Sequence, residues 1–229
     1  MNVAVIVAAG SGTRFGGDVP KIFLALKGVP VIVRTIQKFE DCAMIDSIVV
    51  VVSDSFIDET KRIISEYGLK KVTAVVGGRG SRSGSVRSGI DAISPSSELR
   101  FVAIHDGARP LVSVADIEAT IRGASATGAA VLTVPVTDTV KEVRDGKVVR
   151  TVDRNSLRRA VTPQVFNHEI LITAMGAGPS DDSVTDESVL AEMAGFEVAV
   201  VEGSPSNIKI THPSDMIVAE ALIEKETGQ

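Results

Sequence analysis

Val3-Ala4-Val5-Ile6-Val7-Ala8-Ala9-Gly10-Ser11-Gly12-Thr13-Arg14 is an unbroken apolar run that gives way to small residues and ends in a cation. A run that is apolar at every position, rather than alternating, predicts a strand covered on both faces, as in a parallel sheet. Gly10 and Gly12 let the chain turn sharply and let a ligand approach the main chain. Arg14 then offers a planar fork suited to phosphate, and Lys21, after Pro20, a compact and mobile ammonium. The segment therefore predicts a nucleotide triphosphate site. It is not a Walker-type phosphate loop, because no Gly-Lys-Ser/Thr follows. The spacing of Gly10, Gly12 and Gly16, and the distance to the next acid, Asp54, also depart from the dinucleotide fingerprint.

Outward from this run, apolar stretches near 3–8, 47–52, 72–76, 101–104, 130–135 and 196–201 alternate with segments of helical period. Val31, Ile32, Ile36 and Phe39 mark one helix, Ile57, Ile63 and Ile64 a second, and Ile117 and Ile121 a later one. The expected fold class is α/β, a Rossmann-like wound and mostly parallel sheet, built as a single domain over residues 1–229. One stretch departs from this alternation: Thr139 to Val152 has a period of two around Asp145-Gly146, the strongest short hairpin signal. A two-stranded ribbon is marginal alone, so a protruding β-arm at about 137–156 is expected to lie against a second copy of the chain; the alternative is a hairpin folded back on its own sheet.

Composition narrows the function classes. The 229 residues carry a net charge of −5, which opposes non-specific nucleic-acid binding and requires any polyanionic substrate to be drawn in by locally placed cations. The single Cys42 excludes an intrachain disulfide and has no metal-ligand partner spaced near it. No apolar run of membrane-spanning length and no export leader is visible, so a cytoplasmic location without membrane association is expected.

In an open wound sheet, ligands bind beyond the carboxyl ends of the strands. Polar clusters stand there: Gly10 to Arg14 after the first strand, Gly77 to Ser85 after the third, and His105-Asp106-Gly107-Ala108-Arg109-Pro110 after the fourth. Asp106 could face magnesium or cap its own turn, whereas Asp186 and Glu187 suit a structural role at a helix start. His105 suits a hydrogen-bonded strand end, and His168 and His212 suit helix starts rather than catalysis.

These loops resemble the 2-C-methyl-D-erythritol 4-phosphate cytidylyltransferase family of isoprenoid biosynthesis, nearly end to end. The resemblance rests on Ala8-Ala9-Gly10 with Gly12 and Arg14, Pro20-Lys21, Gly77-Gly78 with Arg82 and Ser85, His105-Asp106 with Ala108-Arg109-Pro110, Asp138-Thr139, Thr151 to Arg154, Thr162-Pro163-Gln164, Thr185-Asp186-Glu187 and Asn207-Ile208-Lys209. It implies that Ala8, Ala9, Gly10, Gly12, Gly78 and Ser85 surround the nucleotide with Arg82 nearby, and that Arg14 and Lys21 stabilise the transition state. It further implies that Arg154 and Lys209 hold the sugar phosphate, with Asp106, Gly107 and Thr139 as further contacts to that substrate. CTP and a sugar-alcohol phosphate are the implied substrates, Mg2+ the implied cofactor, and the arm the implied dimer contact.

The chemistry fits cations without a base. A phosphate monoester is already dianionic at neutral pH, so it needs no proton acceptor to become a nucleophile. The obstacle is charge repulsion, met by positioning and positive side chains. Three alternatives stand beside this reading: a cytidylyltransferase for another acceptor such as ribitol 5-phosphate, a nicotinamide-dependent reductase, and a non-catalytic nucleotide sensor.

Overall fold

The structure, a computed structural model, describes residues 1–10, 20–94, 96, 98–178 and 186–227. Its centre is a seven-stranded sheet in the order β11-β7-β10-β6-β1-β4-β5. These strands are β1 (Asn2–Val7), β4 (Ser47–Val52), β5 (Val72–Gly77), β6 (Phe101–Asp106), β7 (Ala129–Pro135), β10 (Arg158–Asn167) and β11 (Ala199–Glu202). All run parallel except β10, which pairs antiparallel with both β6 and β7.

The apolar run at the N-terminus is β1, and the two faces of the sheet account for its lack of alternation. Ala4 and Ile6 enter one core with Ile48, Val50 and Val52 of β4. Val3 and Val5 enter the other core with Val49 and Val51. The first core is closed by α1 (Val31–Glu40), α2 (Ile57–Glu66) and α4 (Val114–Thr127), through Ile36, Phe39, Ile63, Ile117 and Ile121. The second is closed by α3 (Arg82–Asp91), α5 (His168–Ala177) and α6 (Glu187–Met193), through Val86, Ile90, Leu171 and Leu190. A strand with helices on both faces has no solvent side to mark with polar residues. A third cluster joins β2 (Ala25–Leu26) and the start of α1 to α7 (Pro213–Thr227) through Leu26, Val31 and Ala219, and β3 (Val29–Pro30) pairs antiparallel with β2.

All six expected strands are present, and β10 and α3 are among the elements that the periodicity did not mark. Strand β10 begins with Arg158-Arg159 and carries Pro163, both of which speak against a central strand, yet Val161 to Phe166 are buried between β6 and β7. Helix α3 begins inside the Gly- and Ser-rich stretch taken as loop. Ser81 caps it by accepting from Gly84 N at 3.0 Å, and burial of Val86 and Ile90 outweighs its weak intrinsic propensity.

The ribbon is formed by β8 (Val140–Arg144) and β9 (Lys147–Val152) as a separate two-stranded sheet that does not pair with the main one. Asp145 and Gly146, with φ of 50° and 74°, make the tight turn that an Asp-Gly pair favours. Val143, Val148 and Val149 on it are more than half exposed, at 59%, 62% and 52%.

Candidate functional site

The chain winds outward from β1 to β4 and β5, then returns to place β6 on the other side of β1. Beyond the carboxyl ends of these strands lies a cleft of about 550 Å³ lined by Val7, Ala8, Ala9, Gly10, Gly78, Arg82, Ser85, Asp106, Lys21 and Lys209, among others. This is the position where an open α/β sheet binds its ligands, and the volume suits a nucleotide-sized molecule.

One end of the cleft is built from small residues. A Cβ on Gly78 would stand 2.4 Å from the Ala9 Cβ and 2.6 Å from the Ser85 Oγ, so glycine is what keeps this part open. Gly78 N donates to Val52 O at 2.8 Å and Ala8 N to Val51 O at 2.7 Å, which ties both loops to β4. Asp54, excluded as a ribose-binding acid on spacing, also lines the cleft.

Charged side chains converge elsewhere in the cleft. Asp106 Oδ2 accepts from Lys209 Nζ at 2.9 Å and from Arg109 Nε at 3.2 Å, while Oδ1 lies 3.4 Å from Arg82 Nε. Burial by itself would raise the Asp106 carboxyl, but Lys209, Arg82 and Arg109 together hold it well below the usual carboxylate range. Arg82 Nη1 also donates to both oxygens of Glu187, at 2.7 and 2.9 Å. Burial opposes the Arg82 charge, and Glu187 with Asp106 overcomes it, so the guanidinium is held more firmly protonated than usual.

Lys209 is brought to Asp106 by the anchoring of its neighbours in the chain. Its backbone lies in an irregular segment before α7, where Ile210 N donates to Ala108 O at 2.8 Å and Asn207 O accepts from Arg109 Nη1 at 2.9 Å. Buried Asn207 also donates through Nδ2 to Thr162 O at 2.8 Å, fastening this segment to β10.

His105 sits beneath, fully buried. Arg109 O can only accept, so Nε2 of the neutral ring carries the proton, and Nδ1 accepts from Thr162 Oγ1 at 3.0 Å, a hydroxyl that itself accepts from Asp106 N at 3.0 Å. The bonding network thus assigns Nδ1 as acceptor and Nε2–H as donor to Arg109 O at 3.2 Å. Burial pushes the imidazole down to about 4, in keeping with a neutral structural ring. The expectation of a hydrogen-bonded strand-end residue is met.

The expected site residues divide as follows. Ala8, Ala9, Gly10, Gly78, Arg82, Ser85, Asp106, Lys21 and Lys209 share the cleft. Gly12 and Arg14 lie outside the described residues. Gly107 does not line the cleft: it is packed below, where a Cβ would stand 2.7 Å from that of Ala8, and its carbonyl accepts from Thr35 Oγ1 at 2.9 Å. Thr139 and Arg154 are exposed at the root of the ribbon, where Arg154 Nη1 donates to Thr137 O, and neither reaches the cleft of its own chain. Arg109 and Glu187 belong to the charge network although only motif membership and a helix start marked them in the sequence.

The donor set does not make a metal cage. Among the described residues no group of three or more His, Cys, Asp or Glu side chains converges. Asp106 has both oxygens engaged by cations, which leaves it unsuited to receive a further dication. No helix of the described residues is long and apolar enough to cross a membrane.

Comparison with known proteins decides the lineage. The family model described as 2-C-methyl-D-erythritol 4-phosphate cytidylyltransferase matches residues 2–225. The chain belongs to this family. A cytidylyltransferase of that name from Pelotomaculum thermopropionicum is 41% identical, covering 99% of this chain and 95% of the relative. One from Bacillus velezensis is 39% identical, covering 99% and 97%. Among solved structures, 4-diphosphocytidyl-2C-methyl-D-erythritol synthase from Anaerococcus prevotii superposes with a TM-score of 0.85 at 30% identity, covering 97% of this chain and 96% of that one. The Francisella tularensis cytidylyltransferase superposes with a TM-score of 0.79 at 31% identity, covering 96% and 98%. As a cytidylyltransferase family member, the chain is a nucleotidyltransferase enzyme with a wound α/β fold.

Proposed function

We infer that the chain transfers the cytidylyl group of CTP to 2-C-methyl-D-erythritol 4-phosphate, forming 4-diphosphocytidyl-2-C-methyl-D-erythritol and pyrophosphate in isoprenoid biosynthesis. The observation that carries this reading is a single cleft with a small-residue pocket around Gly78 and a cluster of Lys21, Arg82 and Lys209, in a chain of this family.

In the proposed mechanism an oxygen of the acceptor's phosphate dianion attacks the α-phosphorus of CTP. The new P–O bond forms as the bond from the α-phosphorus to the bridging oxygen breaks, and the electron pair leaves on pyrophosphate. No proton has to be removed, which agrees with a neutral, hydrogen-bonded His105 and an Asp106 occupied by cations. Lys21 and Arg82, with Arg14, are proposed to meet the charge of the triphosphate, while Lys209 receives the acceptor's phosphate. Magnesium, of the divalent kind nucleotidyltransferases typically use, is proposed to arrive on the oxygens of the nucleotide rather than on Asp106.

The ribbon is proposed to cross to a second copy of the chain in a cytoplasmic homodimer, bringing Thr139 and Arg154 of one protomer to the cleft of its partner. The exposed valines of the ribbon and the remoteness of Arg154 from its own cleft support this. The reading takes residues 1–229 as one nucleotidyltransferase domain with the arm at about 137–156.

The test is pyrophosphate release from CTP with Mg2+ and either methylerythritol phosphate or ribitol 5-phosphate, with the product mass measured. Turnover confined to methylerythritol phosphate is the expected result. Release with neither acceptor overturns the activity, and preference for ribitol 5-phosphate overturns the acceptor.

A further inference from the structure

Glu187 is 1% exposed, and a buried carboxylate requires a compensating partner. At the first position of a helix an acid ordinarily stays in water and interacts with the helix dipole. Here that position is already served by the preceding residue: Asp186 Oδ1 accepts from Val189 N at 3.2 Å and from Ser188 Oγ at 2.7 Å. Glu187 is therefore free to turn inward, and it does so onto Arg82, 105 residues away in sequence.

We propose that Glu187 is a positioning residue for nucleotidyl transfer, holding the guanidinium of Arg82 in the cleft against the incoming triphosphate. This rests on the activity proposed above. The backbone that carries Glu187 is itself anchored, because Ser188 N donates at 3.0 Å to Oε1 of Gln164, a residue of β10 that is 1% exposed. The contacts run from the sheet to the start of α6, and from there through Glu187 to Arg82 at the first turn of α3.

The two acids facing Arg82 differ in hold. Both oxygens of Glu187 engage one nitrogen at 2.7 and 2.9 Å, whereas the contact to Asp106 is 3.4 Å long and Asp106 is shared with Lys209 and Arg109. Arg82 can thus exchange Asp106 for a phosphate oxygen while Glu187 keeps its grip. A long side chain with several rotors is ordered before the ligand arrives, so less freedom is lost on binding. Without Glu187 the guanidinium would be drawn to Asp106 and compete there with Lys209, which the acceptor phosphate needs.

The test measures kcat and the KM for each substrate in Glu187→Gln, Arg82→Ala, their double variant and the apolar pair Arg82→Met with Glu187→Leu, with thermal melting of each. Replacing a buried ion pair by apolar residues of similar volume is commonly tolerated, so the last variant guards against simple unfolding. We expect Glu187→Gln to lower kcat/KM for CTP by roughly 10- to 100-fold, the range of one lost charge-assisted contact, with the acceptor KM within about two-fold. The double variant should be no worse than Arg82→Ala, and the apolar pair should melt near wild type yet lose as much activity as Arg82→Ala.

Three results would overturn the proposal: wild-type CTP kinetics in folded Glu187→Gln, losses that multiply in the double variant, or full activity in the apolar pair. Wild-type protein that turns over CTP with no acceptor would instead refute the activity, and the two failures are told apart by that control.

Discussion

The ammonium of Lys209 lies 2.9 Å from Oδ2 of Asp106, bringing together a strand-end residue and one from the far C-terminal quarter of the chain. Arg82 and Arg109 approach the same carboxylate, so one buried anion keeps three like charges within reach of each other. Such a cluster is poised for a polyanion, because a phosphate arriving beside Asp106 finds cations already gathered and partly desolvated.

Asp106→Asn should destabilise the fold as well as the site. Losing the charge leaves Lys209, Arg82 and Arg109 mutually repelling, and breaking a buried pair costs about 3 kcal/mol or more. Urea unfolding of the variant beside wild type measures this; a loss below about 0.5 kcal/mol would show that water screens the cluster.

Lys21 and Lys209 share the cleft but should fail differently. Lys21→Ala is expected to lower kcat by on the order of 10²-fold, as removal of a preorganised transition-state charge does. Lys209→Ala should mainly raise the KM for the acceptor, by roughly ten-fold, as loss of a phosphate contact. Steady-state kinetics with each substrate varied in turn separates the two, and identical patterns would contradict the assignment.

His105 should make the protein acid-sensitive. Its pKa falls from 6.5 to about 4 in the folded chain, so between those values the unfolded state binds more protons than the native one. Stability is therefore whole above pH 6.5 and declines as the pH drops toward 4, by up to about 3 kcal/mol from this group. Protonation would place a charge on a fully buried ring and would require the Thr162 hydroxyl to turn its proton away from Nδ1. Chemical denaturation from pH 7 to 4.5 should show this slope, and a His105→Asn variant that folds should lack it; an unchanged slope would assign the acid sensitivity to other groups.

If the ribbon completes its partner's site, Lys21→Ala and Arg154→Ala proteins should complement. Each alone is expected to be nearly inactive, while random subunit exchange leaves half the dimers hybrid, each with one intact site, giving roughly a quarter of wild-type activity. Mixing after partial unfolding and refolding, with hybrids verified by native mass spectrometry, is the measurement. Hybrids without activity would mean that each site is built from one chain.

The fold was legible where burial wrote itself into composition. A strand covered on both faces must be apolar throughout, and Val3 to Val7 and Ile48 to Val52 are; helices with one buried stripe must repeat it, and Ile32, Ile36 and Phe39 do. The Asp145-Gly146 turn was legible because few residue pairs accept its backbone angles. Strand β10 was not, since Arg158, Arg159 and Pro163 disguise a segment whose central position comes from its neighbours. Gly107 was misplaced for a related reason: its motif lies at the cleft, but the packing of Ala8 and Ile32 decides that it faces inward.

Sequence by itself determined the wound α/β class, the hairpin and the small-residue and cationic character of the loops, because these follow from local pattern and from residue chemistry. Only the tertiary structure decided that Asp106 serves as the meeting point of cations, that the Ile210–Ala108 backbone bond holds the Lys209 segment beside it, and that Glu187 turns onto Arg82. Those relations join residues about a hundred positions apart, and no local periodicity encodes which side chains the crossing of helix and sheet will bring within 3 Å of one another.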